Sequence, residues 1–508
     1  MSDDLSGRGT AVTEHGWAGV PVLVVGAGPA GLAAAGALAR LGVEVLLVER
    51  RQDVLGLPRA TVVSTRSMEL LRSWGLQEEV TAGGVEVEWR LRVTETMAQV
   101  ADGSSFDVGY PSTEQSAVVG PVPPACVPQD HLERVLLEQV RSLPAARVEL
   151  GTEVLRVEAR PDGVRADLRD LGSGATRTVQ ARYLVAADGA RGGIRADLGI
   201  AMTGGEGLLG GAMVEFRAPL WDVVGPHRFG IYAVTRSDAA GTLLPAGPGD
   251  RWLYGRSGEL TAPNSPDLTL TEAVRLVRAA AGVADLAVVV DRIGAFSSAA
   301  QVADRFRAGP VFLTGDAAHR VTPRGGTGMN TALQSGYDLG WKLGWVERDW
   351  AAASLLDTYE AERRPVAEHN VARSADVEGS RRSALGELRV DVGGRIAHHW
   401  LPGDPARSTL DLLGPGLTLM TGPDPAPWVE AAAAVAAVAD PMPVAVRPLD
   451  PLTARALGVP LGGALLVRPD AAPAGLLVRG DVAGLTAAVR SVTDPAPAAG
   501  APAAQEVA

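Results

Sequence analysis

The stretch VPVLVVGAGPAG, residues 20–31, decides the fold of this chain. A valine-rich run ends at Gly26, a GxGxxG pattern follows, and an alanine- and leucine-rich segment leads to Gly42, which stands where a helix would end. A second apolar run then closes on Glu49. This order of strand, helix and strand predicts a parallel sheet.

The same stretch predicts a dinucleotide site. Gly26 permits a tight turn, Gly28 lets a pyrophosphate approach the backbone, and Gly31 lets the helix pack on the strand. Glu49 stands about eighteen residues after Gly31, where a carboxylate accepts hydrogen bonds from a ribose. An acid there favours FAD or NAD over NADP, because it would repel a 2′-phosphate. The alternative is a coincidental helix start.

Two later motifs complete the pattern. Asp188-Gly189 follows an apolar run, and Gly315-Asp316 follows another and precedes a glycine-rich turn at 323–330. With these motifs the chain resembles the group A flavoprotein monooxygenases, which have the para-hydroxybenzoate hydroxylase fold. The matching segments are 22–49, 183–200, 311–343 and 355–370. The version TPRGGTGMN, 322–330, looks most like that of enzymes oxidising aromatic polyketides.

The resemblance implies a site for FAD. The ADP half would lie at the first motif, the ribityl or pyrophosphate part at Asp316, and the isoalloxazine along the turn from Pro323 to Asn330. Backbone N–H groups at the start of the following helix would stabilise negative charge on the reduced flavin. The residues implied in cofactor binding are Gly26, Gly28, Ala30, Gly31, Glu49, Arg50, Arg59, Gln129, Asp188, Gly315, Asp316, Pro323, Gly328, Met329 and Asn330.

Two of these residues have a plain structural alternative. The resemblance gives Asp188 contacts to both FAD and transient NAD(P)H, but it could be only a turn acid before Gly189. Arg59 matches an arginine near the cofactor, but it could be a surface arginine. The chain also departs from the family where Arg324 follows Pro323 and where 334–338 reads QSGYD. Those departures affect substrate contacts rather than flavin binding.

The expected fold class is α/β and α+β. A Rossmann-like FAD domain would occupy 20–199 and 294–401, the second part with long helices, and an inserted mixed β-sheet domain at 200–293 would bind the substrate. A flexible leader at 1–19 and a disordered tail at 494–508 would flank it. Residues 402–493 resemble the thioredoxin-like extension of larger family members, and because they lack CxxC they would have no redox role.

Local patterns predict further elements in the first domain. A helix is expected over 130–140 with Asp130 as its N-cap. The runs at 147–150, 153–159 and 163–168 alternate as antiparallel strands do, with a turn at 161–163.

Composition excludes several partners. The 508 residues carry a net charge of −12, which argues against nucleic acid and anionic membranes. No apolar run reaches the length of a membrane span, and the N-terminus lacks the features of a secretory signal. Cys126 is the only cysteine, so no metal site of the zinc-finger type is expected. We expect a cytoplasmic monomer or homodimer that acts on a small molecule.

Four aromatic residues are the candidates for the substrate cavity: Phe229, Tyr232, Trp252 and Tyr254. They fall in short strand-like segments of the inserted domain. The alternative is that they form its core, as aromatic residues on a sheet usually do. The general base remains unassigned; His319, close to Gly315-Asp316, is interpreted as supporting the fold.

The resemblance implies a reaction in which NAD(P)H reduces FAD, O2 gives a C4a-hydroperoxide, and its distal oxygen hydroxylates a polycyclic, polyketide-type aromatic ring. Baeyer–Villiger oxygen insertion and a FAD dehydrogenase or reductase that does not activate O2 are the alternatives, followed by a non-enzymatic FAD-binding scaffold. A halogenase is disfavoured, because Lys342 is the only lysine and no WxWxIP segment is present. Hydrolase motifs are absent as well.

Overall fold

The computed structural model describes residues 19–53, 58, 60–257, 268–403, 405–438 and 442–496. The predicted leader and tail therefore lie almost wholly outside the described residues, as does Arg59.

The first sheet confirms the parallel arrangement expected from residues 20–49. Val20–Val25 pairs in parallel with Val45–Glu49 on one side and with Thr176–Ala186 on the other, and Val311–Leu313 joins Thr176–Ala186, also in parallel. Apolar side chains on both faces are buried, as a sheet covered on both sides requires. Its eight strands are Val20–Val25, Val45–Glu49, Ala146–Leu150, Thr152–Arg160, Gly163–Asp170, Thr176–Ala186, Arg307–Ala308 and Val311–Leu313.

Two local predictions for this domain were wrong. Ala146–Leu150 runs parallel to Val45–Glu49, whereas Thr152–Arg160 and Gly163–Asp170 are antiparallel as predicted. The predicted helix spans Gln129–Ser142 with Pro128 as N-cap, and no side chain caps it. Asp130 lies in its first turn and pairs with Arg251 instead.

Two helices pack against each other over this sheet. Pro29–Arg40 is the first helix, and Gly328–Glu347 is the long helix predicted after the glycine-rich turn. Their backbones approach so closely that a Cβ on Gly336 would lie 2.0 Å from the Ala30 carbonyl oxygen. Glycine is therefore required at this crossing.

The second sheet extends beyond the predicted insertion of 200–293. It includes Glu88–Thr94 and Ser104–Asp107 from the first part of the chain, and its longest pairing continues to Ala303. The helix Leu270–Ala281 packs on one face and closes a separate core. In sheet order the strands are His319–Arg320, Val289–Ala303, Met202–Arg217, Arg251–Ser257, Gly241–Pro245, Phe229–Val234, Glu88–Thr94 and Ser104–Asp107.

The C-terminal unit has a sheet of four strands. Leu417–Thr421 pairs in parallel with Val444–Pro448 and antiparallel with Ala464–Val467, which pairs antiparallel with Pro473–Leu477. The helices Ala426–Val438, Pro451–Ala456 and Val482–Thr493 alternate with these strands. This unit alternates strands and helices around a mixed sheet; its assignment as a thioredoxin-like domain stays a prediction.

The other elements connect these three units. The helices are Thr65–Ser73, Gln77–Thr81, Thr113–Val119, Ile194–Asp197, Leu220–Val224, Thr358–Ala375 and Ala384–Asp391. Single 3-10 turns occur at Met97–Asp102, Gly315–Ala317, Ala353–Asp357 and Thr409–Leu412, and Trp400–Leu401 pairs with Arg407–Ser408. Of the helices in the described part of the chain, none combines the length and apolarity that crossing a bilayer demands.

Candidate flavin-binding site

Three strand ends bring the three sequence motifs together. Val25 and Leu313 both pair in parallel with Ala186, so the chain leaves all three strands at one edge of the sheet. Gly26 is the first residue after its strand, and Asp188 and Gly315 are the second residues after theirs. In open α/β sheets this carboxyl edge is where ligands bind.

The glycines of the first motif have the predicted geometry. Gly26 has a φ of +107°, and a Cβ there would lie 2.2 Å from the Ala187 carbonyl oxygen. A Cβ on Gly31 would lie 1.9 Å from the Gly26 carbonyl oxygen. Around Gly28, the N-cap of the first helix, no heavy atom of the described residues other than its chain neighbours lies within 4 Å of the Cβ position. Open space at a helix N-terminus suits a pyrophosphate.

Glu49 is a buried carboxylate at the end of the second strand. It accepts hydrogen bonds from the Ala27 peptide N–H at 2.9 Å and from the Arg51 peptide N–H at 2.9 Å. Burial works against its charge, but the Arg51 side chain and the two peptide N–H groups outweigh burial and lower the pKa of Glu49. Arg51 was not predicted; it and the predicted Arg50 are both exposed, but Arg51 pairs with Glu49 at 3.0 Å. A basic residue two positions after the acid is the signal that could have identified it.

Asp188 holds an unpaired carboxylate oxygen beside this edge. Its Oδ2 accepts a hydrogen bond from the Ile194 peptide N–H at 3.2 Å, while its buried Oδ1 has no hydrogen-bond partner among the residues that the structure describes. Burial raises the pKa of Asp188. A buried acceptor without a donor costs free energy, so a ligand that brings a donor would be stabilised here.

Gly315 and Asp316 lie against the first helix. They form a 3-10 turn after the strand Val311–Leu313, and Asp316 is half-buried. Gly315 has a φ of +60°, and a Cβ there would lie 2.9 Å from Ala30 Cβ. A larger residue than glycine does not fit at position 315. The Gly315-Asp316 motif therefore packs directly against the helix that follows the GxGxxG motif.

The glycine-rich turn is held by Asn330. Its Oδ1 accepts from the Ser64 peptide N–H at 2.8 Å, and its Nδ2 donates to the carbonyl oxygens of Val62 at 3.0 Å and Gly326 at 3.2 Å. Gly325 and Gly326 have left-handed φ values of +83° and +64°. The predicted residues from Pro323 to Asn330 thus form the turn before the long helix and the first residues of that helix, and Asn330 ties the two together.

Met329 and Gln129, two further predicted cofactor residues, are held within the protein in different ways. Met329 is buried in the first turn of the long helix. The Gln129 peptide N–H donates to the Ala60 carbonyl oxygen at 2.9 Å, and its side chain donates to Glu133 at 2.7 Å. In this arrangement the Gln129 side chain already has an acceptor within the protein.

The departures from the family pattern have partners of their own. Gln334 donates to Asp391 of the helix Ala384–Asp391 at 2.9 Å. Ser335 lies 3.4 Å from the buried His319, and burial lowers the pKa of His319 to about 3. His319 is therefore neutral near pH 7 and supports the fold, as interpreted from the sequence.

The four aromatic residues predicted to line the substrate cavity lie in a core instead. Tyr232, Trp252 and Tyr254 are fully buried and Phe229 nearly so, in the cluster that includes the helix Leu270–Ala281. The Tyr232 hydroxyl donates to the His227 carbonyl oxygen at 2.7 Å, and that of Tyr254 to the Ala239 carbonyl oxygen at 2.9 Å. The prediction that they line the substrate cavity was therefore wrong, because these side chains pack against one another in the core.

None of the residues on the opposite face of the same strands was among the predicted substrate residues. Residues next to the core aromatics alternate onto it, so Leu253 stands opposite Glu215 and Leu244, and Gly255 opposite Met213. Arg251, on this face, donates to Asp130 of the helix Gln129–Ser142 at 2.8 Å. The face is therefore turned toward the first domain. The alternation of residues along the strands predicts two different faces, but it does not indicate which of the two faces forms the core.

These residues fit FAD. The open space at Gly28, the unpaired Asp188 oxygen and the glycine-rich turn have the chemistry that a pyrophosphate, hydroxyl groups and a flat ring require. Residues 19–374 match the family described as FAD binding domain. The fold and site thus define a FAD-binding flavoprotein, and the chain belongs to this family.

Relatives and solved structures narrow the class. Aklavinone 12-hydroxylase DnrF from Streptomyces peucetius subsp. caesius is 36% identical over 82% of this chain and 94% of its own length. Tetracenomycin A2 monooxygenase-dioxygenase from Streptomyces glaucescens is 34% identical over 89% of this chain and 92% of its own. The crystal structure of aklavinone-11 hydroxylase with FAD and aklavinone matches with a TM-score of 0.83 and 31% identity, over 94% of this chain and 99% of that one. The chain resembles all three over nearly its whole length, and it is a flavoprotein monooxygenase.

Proposed function

We propose that this protein is a FAD-dependent monooxygenase that consumes NAD(P)H and O2 and hydroxylates a polycyclic aromatic substrate of the polyketide type. The observation that carries this proposal is the convergence of Gly26, Asp188 and Gly315 at one sheet edge. Relatives named for the hydroxylation of aklavinone support the substrate class.

In this proposal each part of the site holds one part of FAD. The first helix and Gly28 bind the pyrophosphate, Glu49 accepts from the ribose, and Asp316 binds the ribityl or pyrophosphate part. The turn before the long helix lies along the isoalloxazine, and the N-terminus of that helix favours negative charge there. Bound FAD, after reduction by NAD(P)H, supplies the activation of O2; the protein supplies orientation and the exclusion of water.

In this proposal the substrate lies between the flavin and the face of the second sheet that is turned toward the first domain. Met213 and Leu244 are half-buried on that face and offer apolar contact. The Arg251 guanidinium beside them is not free for a ligand, since it already pairs with both Glu215 and Asp130. A wall of this kind suits a neutral ring system better than one bearing a carboxylate, whose desolvation would need a free cation.

Product analysis tests the function. Purified holoprotein is incubated with candidate tetracyclic polyphenols, NADPH or NADH, and ¹⁸O2, and the products are identified by mass spectrometry and NMR. We expect one labelled oxygen on an intact ring skeleton. Ester formation with ring expansion would instead indicate Baeyer–Villiger insertion, and nicotinamide oxidation without oxygen uptake would indicate a dehydrogenase.

A further inference from the structure

Tyr110 contacts the glycine-rich turn from outside all three motifs. Its single hydroxyl hydrogen is shared between the carbonyl oxygens of Gly325 at 3.2 Å and Gly326 at 3.1 Å. Its ring centroid lies 5.3 Å from that of Trp89, which belongs to the second-sheet strand Glu88–Thr94. Tyr110 therefore joins the second sheet to the turn.

The glycine-rich turn is stabilised by the contact with Tyr110, because its two glycines are conformationally free in the unfolded chain. Two successive left-handed glycines lose much conformational freedom on folding. In a planar trans peptide the C=O and the next N–H point in opposite directions, so a hold on the Gly326 carbonyl fixes the direction of the Thr327 N–H. Asn330 donates to the same carbonyl at 3.2 Å. Burial raises the pKa of Tyr110, which keeps the hydroxyl protonated as a donor.

We propose that Tyr110 is a positioning residue for the flavin: by holding the Gly326 carbonyl it sets the Thr327 peptide N–H that the turn presents to the isoalloxazine. The Gly326 N–H itself is bound within the turn, to the Pro323 carbonyl oxygen at 3.1 Å. Through its ring contact with Trp89, Tyr110 also couples the position of the Thr327 N–H to the second sheet. This inference rests on the proposed placement of the flavin along the turn.

The test compares two tyrosines with the same hydrogen-bond pattern. Tyr254 also donates to two successive carbonyls, those of Ala239 at 2.9 Å and Ala240 at 3.3 Å, but in the second-sheet core. For the Tyr110→Phe and Tyr254→Phe holoproteins we measure the visible flavin spectrum, the midpoint potential and the Kd for FAD. We expect Tyr110→Phe to shift the flavin bands and the potential and to weaken FAD binding about 2- to 10-fold, the effect of one hydrogen bond. Tyr254→Phe is expected to lower only the melting temperature.

Two further variants separate the possible failures. Trp89→Leu should reproduce part of the spectral shift. Trp89→Phe should give the spectrum of the unchanged protein, because phenylalanine keeps an aromatic ring against Tyr110. In Gly326→Ala the new Cβ would lie 2.8 Å from Val62 Cγ1 and displace the turn itself. If Gly326→Ala leaves the flavin spectrum unchanged, the flavin does not lie along the turn and the placement fails. If Gly326→Ala changes the spectrum and Tyr110→Phe does not, only the role of Tyr110 is overturned.

Discussion

Asp316 is the residue on which the FAD assignment can be tested most directly. It follows Gly315 at the shared edge, where a Cβ on the glycine would meet Ala30. Asp316→Ala should weaken FAD binding about 10- to 100-fold, the usual worth of a hydrogen bond to a charged group. The measurement is flavin occupancy after purification and FAD titration of the apoprotein. Asp285→Ala, at an exposed position, is the control and should keep normal occupancy; normal occupancy in Asp316→Ala would contradict the assignment.

His319 makes the fold sensitive to acid. Burial lowers the pKa of His319 to about 3 from an ordinary value of 6.5. Because the unfolded chain binds this proton more readily, its contribution to stability is present above about pH 6.5 and is lost as pH falls toward 3, by about 1.4 kcal/mol per pH unit. Denaturant unfolding between pH 4.5 and 7.5 should show a shallower acid slope for His319→Gln than for the unchanged protein. Equal slopes would show that His319 is not the group responsible.

At the scale of elements, the packing of the two central helices depends on glycine. Gly336→Ala would place a Cβ 2.0 Å from the Ala30 carbonyl oxygen, whereas a Cβ at Gly386, also helical, would meet nothing within 4 Å. Gly336→Ala should therefore cost about 1–3 kcal/mol or more by overpacking and weaken FAD binding. Gly386→Ala should be neutral or stabilise by up to about 1 kcal/mol through helix propensity. Thermal unfolding of both variants measures the difference, and a harmless Gly336→Ala would refute the close crossing.

The sequence predicted elements better than it predicted which of their faces are buried. The strands and helices around Gly26, Asp188 and Gly315 follow from local patterns, since each run of apolar residues ends in a turn signal. The core position of Trp252 does not follow, because alternation distinguishes two faces without identifying the one that a distant helix will cover. The hydrogen bond from Tyr110 to Gly326 joins residues more than two hundred positions apart, and no motif around Tyr110 indicates it.

At the scale of the molecule, one buried charge cluster joins the FAD domain to the C-terminal unit. Lys342 of the long helix is fully buried and pairs at 2.9 Å with both Asp338 and Glu362. Glu362 also pairs with Arg468 of the C-terminal unit at 2.7 Å, and Arg468 in turn binds Asp470. The carboxylates of Asp338, Glu362 and Asp470 approach one another closely enough to suit a metal ion, but the chain's own cations already lie among them. The C-terminal unit is thus held to the FAD domain by ion pairs.

Replacement of the single lysine shows what this cluster contributes. Lys342→Met removes the cation between Asp338 and Glu362, and burial already raises the pKa of Asp338. Truncation of one partner in a buried ion pair costs about 3–5 kcal/mol, because the other charge is left uncompensated. Denaturant unfolding should show this loss, with the C-terminal unit unfolding first. Adding Asp338→Asn should recover more than half of it, since Glu362 keeps its bonds to Arg468.

Arg479→Ala, which breaks an exposed pair with Asp481, is the control and should change stability by less than about 1 kcal/mol. A loss as small as the control's in Lys342→Met would mean that the cluster does not hold the two units together.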